Sequence, residues 1–194
     1  MSSTVEVGQS ALDKLGADTI VSLTQNSRNA RAVNGAYARV RDKLLRQHPW
    51  NFAIARAQLA ATAPAPAFGK ANAFPLPADF IRLLPSDPAD NLNSLDWQIE
   101  NHNGSLAILT DDGAPLEIRY IRRVTDANKM DALFLELWAT DLAFEICKKV
   151  TNSNTAKESL REDRKGLIAE ARRINAFENV AAQPPTDTWI TARS

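Results

Sequence analysis

A mainly α fold, a bundle of about four helices with a small antiparallel β-sheet inserted between helices two and three, is what the patterning of this 194-residue chain predicts. Three observations carry that expectation. Apolar residues recur at helical spacing in four separate stretches, most densely between 130 and 151. Six of the ten prolines fall within residues 61–90, a density that no helix tolerates. Between 96 and 122 apolar and polar residues alternate around turn-forming pairs, which is the period of a strand.

Taken in order, Val7, Ala11, Leu12 and Leu15 predict a short helix over residues 1–16, stopped at Gly16 by a left-handed residue. Residues 17–28 read as irregular, with Asn26 and Ser27 offering capping oxygens. The second helix is predicted over 29–47. Val33, Tyr37, Val40 and Leu44 form its narrow stripe, suited to packing on one or two neighbours. It ends at His48, because Pro49 lacks an N–H and biases the residue before it away from helical dihedrals. Trp50 and Phe52 follow as anchors at the joint.

Residues 50–122 are expected to form one small, mostly antiparallel sheet. Phe80–Leu84 is a short strand, and 96–100 pairs with 105–110 through an Asn103-Gly104 turn. Asp112-Gly113 is expected to make a second such turn into a half-buried strand over Leu116–Ile121. The third helix, over 130–151, is apolar across so wide an arc that it belongs at the centre. The fourth begins near Thr155, with Glu158 completing a capping box. Leu160, Leu167, Ala171 and Ile174 point inward; Lys157, Arg161, Glu162, Arg164, Lys165, Arg172 and Arg173 face water or a partner. Residues 1–180 thus read as a single helical domain with 50–122 inserted, and 181–194 as an extended tail.

Lys+Arg and Asp+Glu both number 23, so the net charge is zero. That disfavours a chain whose main task is to hold nucleic-acid phosphates, which calls for a basic excess, and it favours association. The single cysteine, Cys147, permits no internal disulfide and reads as a small core residue. No basic region followed by an apolar run opens the sequence, and no window is long and apolar enough to span a membrane, so no membrane partner is expected.

There is no glycine-rich phosphate loop, nucleophile elbow, HExxH or CxxC pattern, and no catalytic residue, metal site or cofactor is predicted. Asp111 and Asp112 read as turn residues, and His48 as a helix-terminal histidine making structural hydrogen bonds. Two features go beyond this. Arg119, Arg122 and Arg123 form a local basic stretch, and Trp189-Ile190 stand beyond Pro184-Pro185 in a segment with no core of its own. With Arg164 and Arg172, these are the candidate partner contacts.

Four stretches carry a resemblance: Ser10–Leu23 (SALDKLGADTIVSL), Arg41–Arg56 (RDKLLRQHPWNFAIAR), Phe68–Leu84 (FGKANAFPLPADFIRLL), and Leu116–Ser153 from LEIRYIRR to KKVTNS. In order and spacing the chain resembles the tail tubular protein A family of short-tailed bacteriophages, the head-to-tail adaptors or connectors. The resemblance implies a non-enzymatic virion protein at the head–tail junction, made in the host cytoplasm. It implies a ring, twelvefold in known members, with the portal protein above and the tail nozzle protein below. DNA would pass through its channel without sequence-specific binding. The alternative is a nucleic-acid-binding or hydrolytic accessory factor using the Arg119–Arg123 stretch. That reading requires a cleft where Asp111, Asp112 or Glu117 faces those arginines.

Overall fold

The computed structural model describes residues 4–85 and 96–178. Among these, four helices are matched by six strands in two separate three-stranded sheets, so the fold is mixed α and β and not mainly α with one small sheet. The helices are α1 (Thr4–Asp13), α2 (Arg28–Gln47), α3 (Ala132–Val150) and α4 (Asn154–Phe177). The strands are β1 (Ile54–Leu59), β2 (Asn72–Pro75), β3 (Phe80–Leu84), β4 (Trp97–His102), β5 (Ser105–Thr110) and β6 (Leu116–Arg122). One sheet has the order β1-β6-β3 and the other β2-β5-β4, with every pairing antiparallel.

The need for two sheets lies in β6. As the middle strand it is half-buried as expected over Leu116–Tyr120, with Glu117 exposed, but at Ile121 its other face is buried as well. Ile121 points into the helical core, while Ile118 and Tyr120 point the other way, with Leu59 and Leu83. That second apolar face is covered by Phe74 and Ile108 of the other sheet. The layers therefore run helices, first sheet, second sheet, and each apolar face finds a cover. The expected Asp112-Gly113 hairpin does not form, because the chain leaves β5 in one sheet and enters β6 in the other. The Asn103-Gly104 turn does form, with φ of 51° and 83°, the left-handed pair that such a tight turn requires.

The helical half follows its stripes. Val33, Tyr37, Val40 and Leu44 of α2 are all buried. α3 is the central helix, packed by α1, α2 and α4, and Phe134, Leu137, Trp138, Leu142 and Ile146 fill the space between them. Ser27 Oγ accepts from Ala30 N at the start of α2, and Gly16 ends the turn after α1 with φ 60°. Gly8 allows α1 to approach α2, since a Cβ there would stand 3.0 Å from Val33 Cγ1. The cap of α4 is Ser153, whose Oγ accepts from Ala156 N, two residues earlier than the expected Thr155 box. Trp50 is buried at the joint. Its indole N–H donates to Leu44 O at 2.9 Å and its ring meets Phe134 edge-on at 5.2 Å. Cys147 is buried, as a core residue should be.

One buried charge holds the helices in register. Asp141 of α3 has a fully buried side chain and accepts from Lys43 Nζ of α2 at 2.9 Å and from Arg164 Nε of α4. Arg164 was expected on an outward face; its long side chain instead reaches back to this carboxylate, passing near the Phe144 ring.

Candidate functional site

The three arginines of the basic stretch are not brought together. β6 alternates, so Arg119 stands opposite Arg56 and Leu84 on the side that faces the helices, whereas Arg122 stands opposite Phe80 on the side of Tyr120. Arg123 leaves the strand end and donates to Asp42 Oδ2 at 2.9 Å, which also holds Arg41. Arg119 lines a shallow groove with Arg56, Gln58 and Glu117, and Glu117 accepts from the Gln58 amide at 2.8 Å. Asp111 is occupied elsewhere: the Ala71 N–H and the Lys70 ammonium hold its carboxyl below the usual carboxylate range. Asp112 accepts from the Thr110 hydroxyl at 3.0 Å. Trp189 and Ile190 lie outside the described residues.

A different basic surface emerges where three elements meet. Arg46 lies in the last turn of α2 and donates to Ile81 O of β3 at 2.6 Å. Arg82 follows Ile81 at a bulge in β3, and burial together with the Arg46 charge lowers its pKa from the ordinary arginine value. Its Nε finds no hydrogen-bond partner. Arg172 stands three residues before Asn175 on α4, on the turn that packs against His48. Among the described residues, neither Arg82 nor Arg172 forms an ion pair. Sequence reasoning named Arg172 but missed Arg46 and Arg82. Only the fold brings the end of α2 to the edge strand β3.

His48 sits among these cations. The Asn175 side-chain amide donates to its Nε2 at 3.1 Å, which requires that nitrogen to be unprotonated. Burial first, and then the Arg172 and Arg82 charges, lower its pKa from 6.5. A depressed histidine pKa means that the unfolded chain binds the proton more readily. Stability is therefore fully present above about pH 6.5 and declines as pH falls through the folded-state value. Urea midpoints measured from about pH 7.5 down to 5 should fall more steeply for the wild type than for His48→Gln, which keeps an acceptor without titrating. Parallel profiles would count against this assignment.

The long helix α4 has the least cover of the four. Only Leu160 and Ala171 are buried along its 24 residues; Leu167 and Ile174 are half-buried, and Phe177 is 81% exposed. Its local ion pairs, Arg161–Glu158 at 3.4 Å and Lys165–Glu162 at 2.7 Å, lie on the outward face. Among the described residues no group of three or more His, Cys, Asp or Glu side chains is placed to hold a metal, and no helix is long and apolar enough to cross a membrane. No protein-family model matches the chain, and no curated protein matches it.

Proposed function

We propose that this protein is a structural, non-enzymatic head-to-tail adaptor of a short-tailed bacteriophage, a subunit of a ring between the portal and the tail nozzle that extends the DNA channel. The observation that carries the reading is the unequal covering of its helices. α3 packs against the other three helices and buries ten of its 19 residues, while α4 offers 24 residues of helix with two buried positions and charged flanks. A subunit that closes its own core yet leaves one long helix on the outside is built to pack against neighbours. The β-rich region extends the subunit away from the helices and supplies an appendage suited to contacting the rings above or below. The four stretches that resemble the tail tubular protein A family fall on α1 and the loop after it, the α2–β1 joint, the β2–β3 region, and β6 through α3.

The test is assembly. Purified full-length protein mixed with the portal ring of the phage that encodes it should form a second ring stacked coaxially under the portal, visible by negative-stain electron microscopy. Truncation before Gln183 should weaken capture by immobilised portal while leaving the circular-dichroism spectrum unchanged. Absence of any complex with portal at micromolar concentration would overturn the reading.

A further inference from the structure

We propose that copies of this chain join side by side through α4, the acidic flank of one subunit seating on the basic flank of the next. The proposal rests on the adaptor reading for the identity of the assembly, but the surfaces are argued from α4 alone. The inward line of the helix runs through Leu160, Leu167 and Ala171. A residue three positions after a helical residue falls to one side of it, and a residue one position after falls to the other. Asp163 and Glu170 follow Leu160 and Leu167 by three, so they share one flank, and exposed Phe177 continues the same line. Arg161 and Arg172 follow Leu160 and Ala171 by one and share the opposite flank with Lys165. The helix thus carries a pair of carboxylates on one side, bordered by Arg173, and three basic residues on the other, bordered by Glu158.

Among the described residues the acidic flank lacks internal counterparts, while on the basic flank Arg161 and Lys165 are paired with Glu158 and Glu162 and Arg172 is left over. Among the described residues Asp163 and Glu170 form no ion pair, and neither does Arg172, which stands beside His48 and the Arg82 of β3. Like charges gathered without counter-charges disfavour the isolated subunit. A second copy supplies counterparts to Asp163, Glu170 and Arg172 at once, with Lys165 exchanging its exposed Glu162 partner, and the spacing matches: Asp163 to Glu170 and Lys165 to Arg172 are each seven residues, two turns of helix. Such a contact is head-to-tail, so every subunit uses one flank on each neighbour, and the chain of contacts closes into a ring or continues as a filament. Phe177 gives the acidic flank an apolar anchor at its end. A chain of zero net charge accommodates this division without favouring either sign overall.

Charge exchange tests it. Asp163→Lys/Glu170→Lys makes both flanks basic, and Lys165→Glu/Arg172→Glu makes both acidic; all four positions are exposed, so both variants should melt close to the wild type. Sedimentation velocity at high protein concentration and low salt should show wild-type oligomers that dissociate as salt is raised. Each variant alone should lose at least about tenfold in association constant, and an equimolar mixture should assemble in alternation. Oligomerisation of either variant at wild-type strength, a mixture no better than its components, or a wild type that stays monomeric would overturn the interface. So would loss of binding to duplex DNA in Lys165→Glu/Arg172→Glu with unchanged self-association, which would make the basic flank a polyanion surface. Capture of the two variants by immobilised portal scores the adaptor reading separately: an intact portal complex with unaltered oligomers sinks the α4 interface and leaves that reading standing.

Discussion

Stripping Asp141 of both its cations, in a Lys43→Met/Arg164→Met variant, should destabilise the fold by about 3–5 kcal/mol, because it strands a carboxylate with no exposed side-chain surface between three helices. Asp141→Ala should cost less. Lys43 and Arg164 keep side-chain exposures of 42% and 28%, so once released they turn toward water, and what is lost is their charge-assisted hydrogen bonds and a small packed volume. The ordering matters more than either value. It follows from the asymmetry between a buried charge left unpaired and an exposed one left unpaired. The triple variant Lys43→Met/Asp141→Leu/Arg164→Met should regain most of the loss, since a buried ion cluster exchanged for apolar groups of similar volume is often neutral or stabilising. Urea unfolding of the four proteins, with equal m-values, decides it. A double variant no less stable than Asp141→Ala would show that the carboxylate reaches water, contrary to the packing described.

That triad also marks where the sequence stops being legible. The stripe Val33, Tyr37, Val40, Leu44 located α2, and the breadth of apolar residues in 130–151 placed α3 at the centre. Both inferences rest on periodicities that packing preserves. Asp141 stands within that apolar run with no local signal of its role, because its partners come from 98 and 23 residues away along the chain. Arg164 likewise reads as surface, since nothing in a helical pattern tells a solvated arginine from one that folds back on a distant carboxylate. The division into two sheets was hidden for a related reason. β1 is Ile-Ala-Arg-Ala-Gln-Leu, whose small residues barely register as alternation, and β2 has four residues ending in Pro75. Both become strands because β6 and β5 offer them partners, which is tertiary context overriding weak propensity. Asp112-Gly113 has the composition of a hairpin turn, yet turn composition does not say whether the next strand pairs back or crosses to another layer. As for surfaces, the opposite flanks of α4 were present in the spacing, but the buried line that separates them had to be known before the two signs could be assigned to sides. The meeting of Arg46, Arg82 and Arg172 needed the fold itself.

Trp50→Ala should cost about 3–5 kcal/mol, the range for emptying a buried large aromatic site. The position concentrates three functions. Its indole N–H donates to Leu44 O, satisfying one of the carbonyls that the end of α2 leaves without an intrahelical partner. Its ring meets Phe134 at the start of α3 edge-on and His48 at 4.7 Å, so it joins the end of one helix to the beginning of another. It also precedes the short turn Asn51–Ala53 that leads directly into β1, so the first sheet hangs from this residue. Trp50→Phe separates the contributions: it keeps most of the apolar burial and loses the bond to Leu44 O, an expected cost of about 1–3 kcal/mol for a buried acceptor left unsatisfied. The difference between the two variants then measures the volume of the ring. Because the sheet and the helices meet here, hydrogen exchange in Trp50→Ala should accelerate in β1 and at the C-terminal turn of α2 together. Acceleration confined to α2, or a stability loss in Trp50→Ala no larger than in Trp50→Phe, would mean that Ile54, Ile121 and their neighbours fix the sheet to the helices without it.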